Sequence, residues 1–156
     1  MTWTNDGVLR FLVAASAAAL LGALALQFLG GLPPCPFCVY QRYPYLVVIA
    51  AGVAGIWLRR PGLALAIIAL ALAVGIGLAA YHVGIEQGWV ALPEGCAASG
   101  RATTIDELRR QLEAAPARCD QVSFTLAGLS LAGWNAIYGA FLLVVAVRAL
   151  LRRSAA

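Results

Sequence analysis

The chain has 156 residues, which is room for one domain. It is 62% hydrophobic and only 12% charged, with a mean hydropathy of +0.85, against roughly 25% charged residues in a soluble domain. So much apolar surface cannot be hidden inside a body this small, which excludes an ordinary water-soluble fold. The net charge of +4 comes from arginine alone, and its placement along the chain, described below, excludes a nucleic-acid surface.

A spanning helix needs roughly 20 apolar residues to cross about 30 Å of hydrocarbon. Phe11 to Leu29 qualifies, interrupted only by Ser16 and Gln27, and predicts a first span over about 9–29. Ala23-Leu24-Ala25 resembles a signal-cleavage site, but the apolar run exceeds the usual signal core of about 7–15 residues, so a retained helix is expected. The second span is less obvious, because Pro44 to Leu58 gives only about 22 Å of helix. To cross, it must begin near Pro36 to Cys38 and run over about 38–58, which forces Cys38 to Arg42 into the membrane boundary. Pro44 lacks the N–H that would bond the Tyr40 carbonyl, so a kink is expected there.

The third span, Leu63 to Tyr81 and extending over about 63–83, carries no charge. After it comes a long polar stretch, 85–125. Within it Thr104-Ile105-Asp106-Glu107 fits a capping box, and Ile105, Leu108 and Leu112 fall on one helical face, predicting a short amphipathic helix. Pro93, Gly95, Gly100 and Pro116 break the chain on either side. Leu126 to Val147 predicts the fourth span, over about 126–148, with Asn135 its most polar member. The expected fold is an all-α membrane protein, a four-transmembrane-helix bundle forming a single membrane domain over 1–156.

The arginines orient it. Arg10 precedes the first span, Arg59 and Arg60 fill the turn between the second and third, and Arg148, Arg152 and Arg153 follow or close the fourth. These six face one acid, Asp6. The stretch 85–125 holds four arginines against six acids. Positive charge collects on the cytoplasmic side, so both termini and the Arg59–Arg60 turn are expected in the cytoplasm. The short loop 30–43 and the long loop 85–125 then face out, and all four cysteines lie in them.

Cys35 and Cys38 form a C-x-x-C, whereas Cys96 and Cys119 stand apart. Four cysteines allow three pairings, and spacing alone leaves them open. A C-x-x-C closes too small a loop to be a useful staple; its common uses are redox exchange and zinc binding. Zinc would draw its further ligands from Cys96, Cys119 and His82, without the usual second ligand pair, so no metal site is expected.

Redox chemistry has local support. Pro36 suits the first turn of a helix, which places Cys35 at the N-cap and Cys38 in the first turn, where free N–H groups favour a thiolate. Arg42, four residues after Cys38, shares its face. His82 closes the third span at the depth where the second opens. Glu86, one turn later, either pairs with it or is the first solvated residue. Tyr40, Tyr43 and Tyr45, with Trp89 and Trp134, have the character of an interfacial aromatic belt.

Cys35-Pro36-Phe37-Cys38-Val39-Tyr40-Gln41-Arg42 at the start of the second span resembles the DsbB family of bacterial disulfide-bond-forming membrane proteins. Tyr81-His82-Val83-Gly84, the isolated Cys96 and Cys119, and Gly133-Trp134-Asn135 extend the resemblance over nearly the whole chain. It implies a protein-disulfide:quinone oxidoreductase of the bacterial inner membrane. Cys96–Cys119 would reoxidise a periplasmic thioredoxin-fold oxidase of the DsbA type, with the partner's thiolate attacking Cys96. Released Cys119 would attack Cys35, and Cys38 would face a quinone, ubiquinone or menaquinone. Arg42, His82, Tyr40 and Glu86 are the expected quinone-side residues. The other readings are a non-catalytic membrane scaffold with two structural disulfides, a vitamin K epoxide reductase-like enzyme, in which the C-x-x-C sits late in the chain, and a paralogue serving one dedicated substrate.

Overall fold

The computed structural model describes residues 4–93, 96, 104–106, 109, 117–122 and 124–154. Its elements are α1 (Asn5–Phe28), α2 (Pro36–Tyr40), α3 (Tyr43–Trp57), α4 (Pro61–Glu86), a two-stranded hairpin of β1 (Thr125–Leu126) and β2 (Leu129–Ser130), and α5 (Leu131–Ser154). Thr4 caps α1 by accepting the Gly7 N–H at 3.2 Å. Pro61 stands in the first turn of α4, where its missing N–H costs nothing.

Between α2 and α3 the chain makes a tight step. The Gln41 N–H reaches the Phe37 carbonyl, but the Arg42 N–H reaches only back to Val39, at 3.0 Å. Pro44 cannot supply the next bond, and the helix restarts from Arg42. α2 and α3 together make one crossing, Pro36–Trp57, and α1, α4 and α5 supply the other three among the described residues.

The fourth helix begins at Leu131, later than the apolar run from Leu126 suggests. The front of that run is instead the hairpin, turned by Ala127 and Gly128, both at positive φ. Ser130 accepts the Gly133 N–H at 3.1 Å, so the helix starts where a side chain can cap it. Of the predicted amphipathic helix in the long loop, Ile105, Asp106 and Arg109 are helical; Glu107, Leu108 and Leu112 lie outside the described residues.

The four crossings pack in the order α1, α3, α4, α5, with α4 against α5 the most extensive contact and α5 against α1 much slighter. Between 22% and 28% of the most apolar window of each crossing is buried. The remainder displays Leu21, Leu46, Val53, Leu63, Leu70 and Phe141 outward, which only lipid solvates. The chain is therefore a multi-pass four-helix membrane protein.

The tightest packing lies in the half that carries both termini: Leu9 and Leu12 of α1, Val48 of α3, Leu65, Ile68 and Leu72 of α4, and Leu142 and Ala146 of α5. Small residues make this possible, as close approach replaces the missing hydrophobic drive between helices in lipid. A Cβ at Gly55 would overlap the Ala64 Cβ, and one at Gly52 would overlap Val13. Gly55→Val is accordingly expected to cost about 1–3 kcal/mol by overpacking, read as unfolding at lower denaturant in detergent; unchanged unfolding would contradict this contact. The other half is looser, because α1 and α5 diverge there, and a cleft opens between them.

Candidate redox site

Pro36 starts α2 and leaves Cys35 as its N-cap, in extended backbone. The Cys35 sulfur accepts the Cys38 N–H at 3.1 Å, and the two sulfurs stand 2.6 Å apart as free thiols. Phe37, between them, lies against Tyr81 and His82 of α4, with ring centroids 5.3 and 5.9 Å away. That contact seats the cysteine turn on the end of α4. The helix amides expected to favour a Cys35 thiolate are outweighed: the side-chain hydrogen bond with Cys38, and then burial, push the Cys35 thiol up. Cys35 is 3% exposed and Cys38 only partly covered. In the reduced protein at neutral pH, iodoacetamide should therefore label Cys38 well before Cys35, and Cys35 should catch up only as pH rises. Equal rates by peptide mass spectrometry would contradict that order.

Cys96 and Cys119 are disulfide-bonded, with Cα atoms 5.4 Å apart. Both are buried, in one cluster with Cys35 and Ile85, and Phe37, Cys38 and Val90 pack against it. The outer disulfide thus rests on the inner thiol pair. Beside it Arg118 and Asp120 form an exposed bidentate ion pair, with N–O distances of 2.9 and 2.7 Å. The Asp120 carboxyl is held below its usual range by that pairing.

His82 meets the pair from α4. Its Nε2 lies 3.6 Å from the Cys35 sulfur and 3.8 Å from Glu86 Oε1, and the Cys119 backbone lies beside the ring. Glu86 is not solvated: its side chain is 6% exposed, and Oε2 has no partner among the described residues. On the other side of the ring runs a chain of polar groups across three crossings. Gln41 Nε2 donates to His82 Nδ1 at 2.8 Å, Asn135 Nδ2 donates to Gln41 Oε1 at 2.6 Å, and the Tyr45 hydroxyl donates to Asn135 Oδ1 at 2.6 Å. Tyr45, expected in the aromatic belt, is buried; Tyr40 and Tyr43 are the exposed ones.

The cleft between α1 and α5 holds a cavity of about 550 Å³, within the roughly 300–1,000 Å³ of small-molecule sites. Ala19, Ala23 and Leu26 of α1 and Ala132 of α5 make its walls apolar, and Cys38, Gln41, Arg42 and His82 close one end. Arg42 is fixed there by donating from Nη1 to Gln27 Oε1 of α1 at 2.7 Å. Tyr138, donating to the Ala15 carbonyl at 3.0 Å, ties α5 to α1.

Of the residues singled out in the sequence, Cys35, Cys38, Cys96, Cys119, His82 and Glu86 come together, and Arg42 and His82 reach the cavity. Tyr40 is half exposed and stacks on Tyr43, with centroids 6.5 Å apart, away from the cavity lining. Glu86 lies on the cysteine side of His82, outside that lining. Sequence reasoning assigned no site role to Gln27, Gln41 or Asn135, and gave Tyr45 only a place in the aromatic belt. Their signal was polarity inside apolar runs, where a buried hydrogen-bonding group demands a partner.

The comparisons agree with this geometry. The family model described as "Disulfide bond formation protein DsbB" matches residues 5–149. Disulfide bond formation protein B of Aromatoleum aromaticum is 33% identical over 89% of this chain and 89% of its own length. Disulfide bond formation protein B 1 of Burkholderia lata is 29% identical over 86% and 82%, and the Acinetobacter baylyi protein of that name 27% identical over 98% and 95%. The family model covers nearly the whole chain, cysteine turn and outer disulfide included, and this chain belongs to the DsbB family of membrane disulfide bond formation proteins.

Proposed function

We propose that the chain reoxidises a periplasmic thioredoxin-fold thiol oxidase of the DsbA type at Cys96–Cys119 and passes the electrons through Cys35–Cys38 to a membrane quinone, ubiquinone or menaquinone. One observation supports this reading: the Cys35–Cys38 pair packs in one buried cluster with the outer disulfide, and Cys38 also lines the cavity. The charge distribution supports both termini lying in the cytoplasm and the site lying at the periplasmic face of the bacterial inner membrane.

The cavity fits the group. Its walls suit an apolar ring and tail, and its polar end offers a guanidinium, the strongest side-chain donor for a carbonyl oxygen. A quinone bound there supplies an acceptor for two electrons and two protons. The other steps belong to the chain and its partner. The partner's thiolate attacks the Cys96 sulfur, and Cys119 leaves as a thiolate. The partner's second thiolate then displaces Cys96, and the partner departs oxidised. Cys119 attacks the Cys35 sulfur of the inner disulfide, and Cys38 leaves as a thiolate. Cys96 then attacks Cys119, which restores the outer disulfide and frees Cys35.

Return of the inner pair to a disulfide releases two electrons and two protons. Cys38 presents its sulfur at the cavity, Arg42 holds a positive charge in the wall, and His82, with Nδ1 accepting from Gln41, turns its Nε2–H towards the Cys35 sulfur at 3.6 Å. Because a DsbA-type oxidase has a potential near −120 mV, the final acceptor must lie higher, as a membrane quinone does. The scaffold alternative has no use for the cavity, and the placement of Cys38 in its lining supports the relay. Membranes containing the protein should reduce added quinone when a reduced thioredoxin-fold oxidase is supplied and not without it. Quinone that stays oxidised under those conditions would refute the reading.

The polar chain behind His82 has a corresponding expectation. Asn135→Leu removes two interhelical hydrogen bonds, worth about 0.6–2 kcal/mol each in membranes, and leaves Gln41 free to rotate away from the ring. Turnover should fall about tenfold while the outer disulfide still forms; unchanged turnover would show that the network does not position His82.

A further inference from the structure

The sequence spacing sets a metal aside, yet the fold delivers to the C-x-x-C a third ligand that spacing cannot show. The two thiol sulfurs and one imidazole nitrogen of Cys35, Cys38 and His82 lie within 4.8 Å of one another, and two of the three residues are buried. A fourth donor stands next to the imidazole, outside the three-residue cluster. Glu86 Oε1 is 3.8 Å from His82 Nε2, and the same carboxylate, more than nine-tenths buried, has an oxygen with no partner among the described residues. A buried carboxylate left unpaired is costly, and a cation would satisfy it.

We infer that the reduced inner pair is a binding site for a thiophilic divalent cation, zinc or cadmium, held by Cys35, Cys38, His82 and Glu86. Tetrahedral coordination at about 2.3 Å to sulfur and about 2.0–2.1 Å to nitrogen sets donors roughly 3.4–3.8 Å apart. The Cys35–His82 distance of 3.6 Å already matches, whereas Glu86, 3.8 Å from His82 Nε2, has to swing its carboxylate towards the sulfurs to close the shell. The two sulfurs, 2.6 Å apart, have to separate by about 1 Å, within reach of a Cys38 side-chain rotation.

The polar chain behind His82 can hold the imidazole for a cation. Half-turns of the Gln41 and Asn135 amides reverse the polar chain, so that His82 Nδ1 donates to Gln41 Oε1 and Nε2 turns a lone pair towards the sulfurs. A ligating histidine is commonly held in this way from its other nitrogen. Binding changes no oxidation state: both thiols lose their protons to solvent, and the cation bridges two thiolates. Only the dithiol can bind, so the cation holds the relay in its reduced state. The inference needs neither quinone nor partner.

The test is equilibrium dialysis of zinc alone, and of cadmium alone, against the full-length protein in detergent without quinone or partner. The protein is taken with its inner pair reduced and the Cys96–Cys119 disulfide intact. One cation per chain should bind, with a thiolate-to-metal absorption band for cadmium, and none when the inner pair is oxidised. His82→Ala and Glu86→Gln should each weaken binding at least about tenfold. Because a variant can fail for structural reasons, X-ray absorption on the zinc-loaded wild-type protein gives a second reading, and two sulfurs with two nitrogen or oxygen donors are expected. Equal binding by the oxidised protein, full affinity in both variants, or a sulfur-only shell would each overturn the site.

Discussion

Cys38→Ala should abolish electron transfer from a reduced thioredoxin-fold partner to quinone, by roughly 10⁴-fold or more, as loss of a covalent-relay sulfur does. The reason is positional. Cys38 is the member of the inner pair that lines the cavity, whereas Cys35 is buried against the outer disulfide. Without the Cys38 sulfur the inner disulfide cannot form, and the reduced Cys96 and Cys119 have no acceptor for their electrons. A Cys96–Cys119 disulfide formed beforehand with a chemical oxidant should still exchange once with partner in this variant, so a single partner equivalent is oxidised per chain and turnover then stops. Stopped-flow quinone absorbance with a quenched peptide map separates the two events. Continued multiple turnover would remove Cys38 from the route.

Arg42→Met has the next largest expected effect. The guanidinium stands at the polar end of the cavity, anchored through Gln27 on α1. Removing a charged hydrogen-bond donor costs about 1.5–3 kcal/mol, or roughly 10- to 150-fold. The loss should appear in KM for quinone, with the exchange between partner and Cys96–Cys119 unchanged. Arg42→Lys should recover part of it, because a lysine restores charge without the planar fork. Gln27→Leu, which frees the guanidinium without removing it, should fall between wild type and Arg42→Met. A quinone KM that is the same in all four proteins would place Arg42 outside the binding site.

Much of this was legible in the residues. Pro36 after Cys35 marks a helix start, and the structure puts the N-cap there. The shortness of the apolar run after Pro44 required the second crossing to include the cysteine turn, and α2 with α3 makes that crossing. Helix rotation was not legible. Crossings that are apolar on nearly every face carry little of the periodic signal by which an amphipathic helix declares its buried side. Thus nothing in the chain showed that Asn135 faces Gln41, that Tyr45 turns inward while Tyr43 turns out, or that Gln27 reaches Arg42. For Glu86 the residues left two readings, a partner of His82 or a solvated helix end, and the structure places it buried against His82. The start of α5 was misjudged for another reason: Leu126 to Ser130 is apolar enough to extend a span, but Ala127-Gly128 turns a hairpin instead.

The order in which the two disulfides form reports the path directly. Fully reduced protein is mixed with one equivalent of quinone, quenched in acid at increasing times, alkylated and mapped. A Cys35–Cys38 bond should appear first and the Cys96–Cys119 bond later, at its expense. Appearance of Cys96–Cys119 ahead of any Cys35–Cys38 bond would mean that electrons leave the protein by another route.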